Sequence, residues 1–418
     1  FSTGGFSMNM SHVKNKWPMH LFFIGLGAAL FGVGYASLPL LLLLFWLFKS
    51  LKREPEIIKQ VFRDDDLRWI LVYYLIFIVM VTVSDLVMGG KLTHLNGPLY
   101  NLAIGIYMFL GFLIAKSFDT KSLHNISHRW LTFWLFLLLV IVELRYNGII
   151  TYRHGIFVHI HILFYGVVVM GLVNFVYFIE RFEIGKVISW VSGLLSLWVL
   201  VCVYRYSISD VIPHLYVAGI VLIFVFSGKK WPMYILAVLL FGLAIFMITN
   251  DALLVKLQKI DLRSPNIWMD LLNGREDIWT IALRMIGEHP LFGVGSGRFG
   301  TVSEELLMKF GIVLRDNKFS HAHNFLLHNM AVHGIIAGLA YAGLLLSVIR
   351  LIIRSLTIQE TETLSIAVFC IYFTYVIYGF VTNSPLNEEM IPLIWGSIGM
   401  LGGVVSKMKE NAQCIFPK

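Results

Sequence analysis

Long apolar segments recur along almost the whole chain, and they constrain its fold more than any other feature. Runs of about 20 apolar residues are long enough to cross the hydrocarbon core of a bilayer as helices. Of the 418 residues, 58% are hydrophobic and only 14% are charged, so a soluble protein of this size would have a surface nearly without charge. The segments are continuous rather than alternating, which favours helices over a β-barrel. We therefore expect an all-α, polytopic membrane protein.

The sequence predicts about twelve transmembrane helices. They lie near residues 18–34, 36–49, 69–88, 99–116, 130–147, 156–179, 187–204, 211–227, 232–250, 322–349, 364–382 and 386–406. The first two are expected to form a tight pair, although one long tilted helix could cover the same residues. Hydrophobicity drops after residue 250, so the chain divides into three parts. Transmembrane helices 1–9 occupy residues 1–250, a loop domain with helices of its own occupies 251–320, and transmembrane helices 10–12 occupy 321–418.

Basic residues are distributed unevenly among the short loops, and this imbalance predicts the orientation. Most of them lie on one side of the membrane, whereas the short loops of the other side hold only Lys91, Arg145, Arg153 and Arg205. Cytoplasmic loops carry the excess of Lys and Arg. We therefore expect both termini in the cytoplasm and the loop domain on the outer face. Topology and anionic headgroups explain the net charge of +8 better than nucleic-acid binding does.

Two other polar features are expected to be unremarkable. The three aspartates of RDDDLR at 63–68 could suggest a metal-bound nucleotide sugar, but in a short cytoplasmic loop they are interpreted as a solvated charge run. The cysteines Cys202, Cys370 and Cys414 are scattered and lack the spacing of a metal or redox site, so we expect no disulfide framework.

The loop domain contains an amphipathic pattern followed by a glycine-rich turn. From Arg275 to His289 the spacing predicts a helix, which Pro290 would end. Its apolar face would consist of Ile278, Ile281, Ala282, Met285 and Ile286. The glycines at 295, 297 and 300 fit the dinucleotide pattern G-x-G-x-x-G, but that pattern should follow a strand. We interpret them instead as a turn in which the backbone approaches other backbone or a ligand.

The segment SHAHNFLLHN at 320–329 concentrates polar residues at the start of a predicted span. A zinc site is one alternative, although carboxylates to support it are sparse nearby. A polar cap at the membrane interface is another, with Ser320 as the N-cap. The functional interpretation places His323 in the first helical turn, where the helix dipole disfavours imidazolium. A neutral imidazole could serve as a general base, and Asn324 could orient the ring or a substrate hydroxyl.

Four arginines of the outer face are candidate anion ligands: Arg145, Arg153, Arg205 and Arg275. Lipid headgroups are the alternative partner for each of them. A cluster of arginines beside a base points to a diphosphate, because a guanidinium binds phosphate oxygens bidentately.

Three pieces of the outer face follow one another in the order GREDIW, HPLFGVGSGRFG and HAHNFLLHNMAVHGIIAG. Together they resemble the signature region of the O-antigen ligase/polymerase superfamily. That resemblance covers residues 273–340 and implies a glycosyltransferase acting on polyprenyl-diphosphate-linked glycans. It implies that His323 is the catalytic residue and that Arg205 and Arg275 hold the donor diphosphate. Arg205 departs from the pattern, since Tyr204 and Tyr206 stand where the superfamily has a small residue and a glycine.

The resemblance, joined to the residues, predicts an inverting transferase that needs neither a metal nor a cofactor. Its site would comprise the catalytic His323, with Arg205, Arg275, Arg145 and Arg153 at the diphosphate and His321, Asn324 and His328 in support. The expected partners are an undecaprenyl-diphosphate-linked glycan, a lipid A–core or glycan acceptor, and membrane lipid. The protein would lie in a bacterial inner membrane with its site facing the periplasm.

Several functions remain open at this point. O-antigen ligase is the leading interpretation, and O-antigen polymerase, which joins undecaprenyl-diphosphate-linked repeat units, is the main alternative. A related transferase could glycosylate protein. A transporter or flippase would show internal repeats or interrupted midplane helices, and the sequence shows no clear repeat.

Overall fold

The protein is described by a computed structural model over residues 16–31, 33–53, 56–91, 97–150, 160–182, 186–206, 211–227, 275–310, 320–381 and 389–415. Within these ranges every regular element is a helix. The nine α-helices that precede residue 228 are α1 (Trp17–Ala29), α2 (Val33–Arg53), α3 (Glu56–Arg63), α4 (Asp65–Met88), α5 (Pro98–Ser117), α6 (Thr120–Tyr146), α7 (Ile160–Glu180), α8 (Val187–Tyr206) and α9 (Val211–Phe226). Those from residue 275 onward are α10 (Arg275–Glu288), α11 (Phe299–Phe310), α12 (Phe325–His333), α13 (Ile335–Ser355), α14 (Glu362–Val381) and α15 (Ile391–Ile415).

Among the described residues, eight helices are long and apolar enough to cross a membrane by length and composition. They are α4 to α8 and α13 to α15. The expectation of an all-α, multi-pass membrane protein is therefore confirmed in its general form. The predicted span at 232–250 and most of the loop domain outside 275–310 lie outside the described residues, as does Arg153. The first apolar stretch forms two helices, α1 and α2, that pack against each other.

The predicted span at 322–349 is wrong in its boundaries. Two helices, α12 and α13, share this stretch and are separated by Gly334, whose φ is 90°. The interruption is tied to another part of the chain, since the Ile335 amide donates to the Pro290 carbonyl at 2.9 Å. Only the second of the two, α13, has the length and hydropathy of a span.

Helices α5 and α15 pack with their backbones in close approach. A Cβ atom on Gly399 would overlap the carbonyl oxygen of Met108, and one on Gly111 would overlap that of Gly396. Small residues allow helix backbones to approach in membranes, where apolar burial alone does not favour association over lipid contact. The outer surface of the bundle instead exposes large apolar side chains, such as Phe45 on α2 and Leu194 on α8.

One end of the bundle, which we call the Asp66 end, is closed by ion pairs. Asp66 lies in the first turn of α4 and is 1% exposed. It accepts from Arg354 at 2.6 Å and from Lys409 at 3.1 Å. Arg350 lies 3.2 Å from the same carboxylate, so α4, α13 and α15 are joined there. The interpretation of RDDDLR as a solvated charge run is therefore wrong for Asp66, whereas Asp65 is exposed.

The opposite end, which we call the His323 end, is where α4, α6, α8 and α14 finish and where α7 and α12 begin. Aromatic contacts connect these termini in series. Tyr146 stacks on Tyr206 with ring centroids 4.2 Å apart and also contacts Phe164. Next along the series, Tyr165 stacks on Tyr378 at 4.7 Å, and Phe380 meets Phe325 at 4.9 Å. The candidate site residues thus belong to one end of the bundle.

Candidate functional site

Helix α10 supports the site from outside the bundle. Ile278, Ile281, Ala282 and Met285 are buried in a separate apolar cluster with α11 and α12, so the predicted amphipathic helix is confirmed. Trp279, one turn after Arg275, donates its indole N–H to the Ala322 carbonyl at 3.0 Å. The helix therefore fixes the residue that lies between the two histidines of the H-x-H pair.

The glycine-rich turn connects α10 to the bundle. The amides of Val294 and Gly295 donate to the carbonyls of Ala331 and Val332 at 3.0 and 2.8 Å. Gly293 has a φ of 62°, and a Cβ on it would overlap the backbone of Val332. A conformation of this kind at such close approach requires glycine. The sequence-based interpretation of a turn with close backbone approach is confirmed at Gly295, whereas Gly300 lies within α11.

Two polar residues near the end of α4 anchor this turn, and the sequence interpretation missed both. Asp85 accepts from the Ser296 amide at 2.7 Å and lies 4.0 Å from the His333 Nδ1 atom. Ser84 donates to the Phe292 carbonyl at 2.6 Å. All of these side chains are buried. An acidic residue inside a predicted span is a signal of function by default, and that rule would have singled out Asp85.

His323 occupies a strained position at the start of α12. Its φ is 48°, the left-handed region, which costs a non-glycine residue about 1–3 kcal/mol and is concentrated at functional sites. The N-cap is the next residue, Asn324, whose Oδ1 atom accepts from the amides of Leu326 and Leu327 at 3.1 and 3.0 Å. The predictions that Ser320 caps the helix and that His323 lies in its first turn are both wrong. Ser320 instead contacts the His321 ring at 2.9 Å.

The surroundings of His323 keep its imidazole uncharged. Burial, together with the positive charges of His321 and Arg275, lowers the pKa of His323 from 6.5 to about 4. The two imidazole centroids are 4.3 Å apart, and burial also lowers the pKa of His321. Each of these causes disfavours protonation. At neutral pH, His323 can therefore accept a proton.

Among the described arginines that the sequence proposed, Arg275 is the one whose charge lowers the pKa of His323. It begins α10, is half-buried, and its charge acts on the imidazole. Burial lowers the pKa of Arg275, although a guanidinium stays protonated at any physiological pH. An arginine held in this way can bind an anion bidentately beside a neutral imidazole.

Arg205 and Arg145 lie in the last turns of α8 and α6, at the same end of the bundle as His323. Arg205 is exposed at the last turn of α8, with its guanidinium 5.1 Å from the centre of the Tyr206 ring. Tyr206 in turn donates to Glu143 at 3.0 Å, which fixes this helix end. The tyrosine that departs from the superfamily pattern thus serves as a structural anchor.

The three supporting residues occupy different positions. His321 is beside His323, and Asn324 caps α12. His328 is buried one turn further along, where its ring packs on Phe299 at 5.2 Å. In the part of the chain that the structure describes, no three His, Cys, Asp or Glu side chains are grouped so that they could hold a metal ion.

Comparison with known families identifies the region that carries this geometry. Residues 194–342 match the family described as O-antigen ligase. The matched range begins within α8 and ends within α13, and it contains Arg205, Arg275 and His323. No curated protein matches the chain. Members of the matched family are glycosyltransferase-like ligases and polymerases of O-antigen. The match supports the resemblance to the O-antigen ligase/polymerase superfamily that the sequence shows, and it does so over residues 194–342.

Proposed function

We propose that the protein is an inverting, metal-independent O-antigen ligase, which transfers a finished glycan from undecaprenyl diphosphate to lipid A–core. The observation that carries the proposal is the pairing of His323 with Arg275 at the His323 end, inside the region that matches the family. Because its pKa is lowered, His323 is available as a free base, and the guanidinium of Arg275 is available to bind an anion. Those are the two groups that displacement of a lipid diphosphate requires.

The reaction would proceed in a single displacement. The acceptor hydroxyl gives its proton to His323 as its oxygen forms a bond to the anomeric carbon. The bond between that carbon and the diphosphate oxygen breaks, and the electron pair leaves with the lipid diphosphate. Arg275 stabilises the charge that develops on this leaving group. One attack from the opposite face inverts the anomeric configuration.

The location follows from the same proposal. Lipid-linked glycans are displayed on the periplasmic face of a bacterial inner membrane, so the His323 end would face the periplasm. The distribution of basic residues in the sequence supports this orientation. At the other end, Arg350, Arg354 and Lys409 cluster around Asp66, as expected of a cytoplasmic face. Arg205 and Arg145, at the same end as His323, would contact the donor's diphosphate or neighbouring headgroups.

Reconstitution with two lipid substrates tests this function. Purified protein in proteoliposomes is given undecaprenyl-diphosphate-linked glycan and purified lipid A–core, and the acceptor is analysed by mass spectrometry. A mass increase equal to the glycan identifies a ligase. Lengthening of the undecaprenyl-linked glycan with the acceptor unchanged identifies the alternative, an O-antigen polymerase. Absence of both products contradicts the proposed chemistry, and loss of transfer in EDTA contradicts its metal independence.

A further inference from the structure

A cleft outside the proposed catalytic centre lies between α10 and α11 and against the end of α4. It has a volume of about 330 Å³ and is open to solvent on one side. This volume is at the lower end of the range for sites that bind small ligands. We call it the α10–α11 cleft. The cleft is lined by ionisable and apolar residues together: Met88, Glu288, His289, Val294, Arg298, Val302, Glu305, Leu306 and Lys309.

The charges of the cleft are balanced. Its two carboxylates, Glu288 and Glu305, are matched by two cations, Arg298 and Lys309. The imidazole of His289 also lines the cleft. Lys309 already pairs with Glu288 at 2.8 Å, and Arg298 donates to the Met88 carbonyl. Neither an anion nor a cation is therefore favoured by an excess of opposite charge. A ligand rich in hydroxyl groups fits better, because each hydroxyl both donates and accepts a hydrogen bond.

Apolar side chains complete the match to a carbohydrate. Met88, Val302 and Leu306 line the cleft beside the charged groups. A sugar ring presents hydroxyl groups at its edge and C–H groups on its faces, so it would contact both kinds of wall. A phosphate or a simple cation would leave the apolar wall unused.

The cleft and the proposed catalytic centre lie at opposite ends of one helix, α10. Glu288 follows Arg275 by 13 residues of α10, and at 1.5 Å per residue this is about 20 Å. A glycan whose diphosphate is bound at Arg275 must extend away from it. We propose that the α10–α11 cleft binds an uncharged segment of the transferred glycan, several sugars away from the reacting bond. This inference rests on the proposed function and adds a second contact for its substrate.

Binding of a lipid-free oligosaccharide tests the proposal without requiring catalysis. The full-length protein in nanodiscs is titrated with two- to four-repeat oligosaccharides, which are released by mild acid from the O-polysaccharide of the organism that encodes it. Binding is measured by saturation-transfer NMR and calorimetry. The Glu305→Ala variant is expected to weaken binding about tenfold by removing a charged hydrogen-bond acceptor. Val302→Trp, which fills the cleft, is expected to abolish it.

The matched control is Glu304→Ala, which removes the same charge from the adjacent, exposed position of α11 outside the cleft lining. It should bind like the unaltered protein. Equal binding by all four proteins, or no binding by the unaltered protein, overturns the proposal. Because Glu305 is exposed, its variant gives a result even if Val302→Trp does not fold.

A transfer assay separates this inference from the proposed function. If both hold, Glu305→Ala raises KM for donors that carry several repeat units and leaves KM for a single-repeat donor unchanged. Transfer that is insensitive to Glu305→Ala at every donor length overturns the cleft assignment while the proposed function stands. Oligosaccharide binding that depends on Glu305, in a protein that transfers nothing, supports the cleft and contradicts the proposed function.

Discussion

The two ends of the helix bundle both gather ionisable side chains, but they arrange them in opposite ways. At the Asp66 end, a buried carboxylate meets three cations from two other helices. At the His323 end, two imidazoles and a guanidinium lie together, and each neighbour disfavours a positive charge on His323. The first arrangement is satisfied within the protein. The second becomes favourable when an anion joins it.

This difference separates a structural cluster from a functional one. Ion pairs at the Asp66 end link α4, α13 and α15, whose sequence positions are far apart. The His323 end instead contains two features that cost stability: a left-handed backbone at His323, and the burial of two imidazoles, which lowers the pKa of each. A strained backbone of this kind is retained only where the surrounding structure holds the residue in place. Here Trp279 and the cap at Asn324 supply that support.

The largest expected effect is at His323. Replacement His323→Asn should reduce transfer by about 10²–10⁴-fold, the contribution of a general base. Asparagine tolerates the left-handed backbone but cannot take the proton. Initial rates in the two-lipid assay measure the effect. His214→Asn, at an exposed position near the start of α9, is the control and should retain full activity. Undiminished transfer by His323→Asn would remove the base assignment.

The second effect concerns the anion ligand. Arg275→Gln should lower kcat by about 10²-fold, the typical loss when one preorganised donor is removed from a developing charge. Arg275→Lys should recover part of this loss, since it keeps the charge without the bidentate geometry. Arg284→Gln is the control, because Arg284 lies on the exposed face of the same helix with its guanidinium 3.9 Å from the centre of the Phe310 ring. Equal rates for the Arg275 and Arg284 variants would contradict the role of Arg275.

The third effect is on stability at the other end. Asp66→Asn should lower the free energy of unfolding by about 2 kcal/mol, below the usual cost of breaking a buried pair because the remaining cations are partly exposed. Asp65→Asn removes only an exposed pair with Arg68 and should change the free energy little. Unfolding in mixed micelles measures the free energy of both variants.

The rate of glycan transfer per folded Asp66→Asn molecule should equal that of the unaltered protein. A lower rate per folded molecule would contradict the assignment of a structural role to the Asp66 end and a catalytic role to the His323 end.

What the sequence predicted correctly is mostly local. The apolar face of α10 follows from its 3.6-residue period, and the glycine turn follows from the spacing of its glycines. The general all-α, multi-pass character follows from continuous apolar runs. These signals need no knowledge of distant residues, since the helix and the turn are encoded within a few residues of each position.

The errors arise from contacts between distant parts of the chain. The break at Gly334 lies inside a stretch that the sequence predicts as one span, and it depends on a contact with Pro290. Ser320 and Asn324 are both good N-caps, and the sequence alone does not choose between them. In the sequence Asp66 looks like a solvated charge because its partners are distant along the chain. Arg354 is 288 residues away and Lys409 is 343 residues away. The proximity of Arg275 to His323 also depends on tertiary packing, and the resemblance to a family was needed to predict it.

The dependence of kcat/KM on pH tests the central claim most directly, namely that His323 acts as an uncharged base beside Arg275. With its pKa lowered to about 4, the base should remain deprotonated as the pH falls below 6.5. The rate should then be nearly constant at mildly acidic pH and decline only as the pH approaches 4. Arg275→Gln, which removes one of the charges that lower this pKa, should move the decline to higher pH. A decline centred at 6.5 or above in the unaltered protein, or one that does not move in Arg275→Gln, would contradict the account.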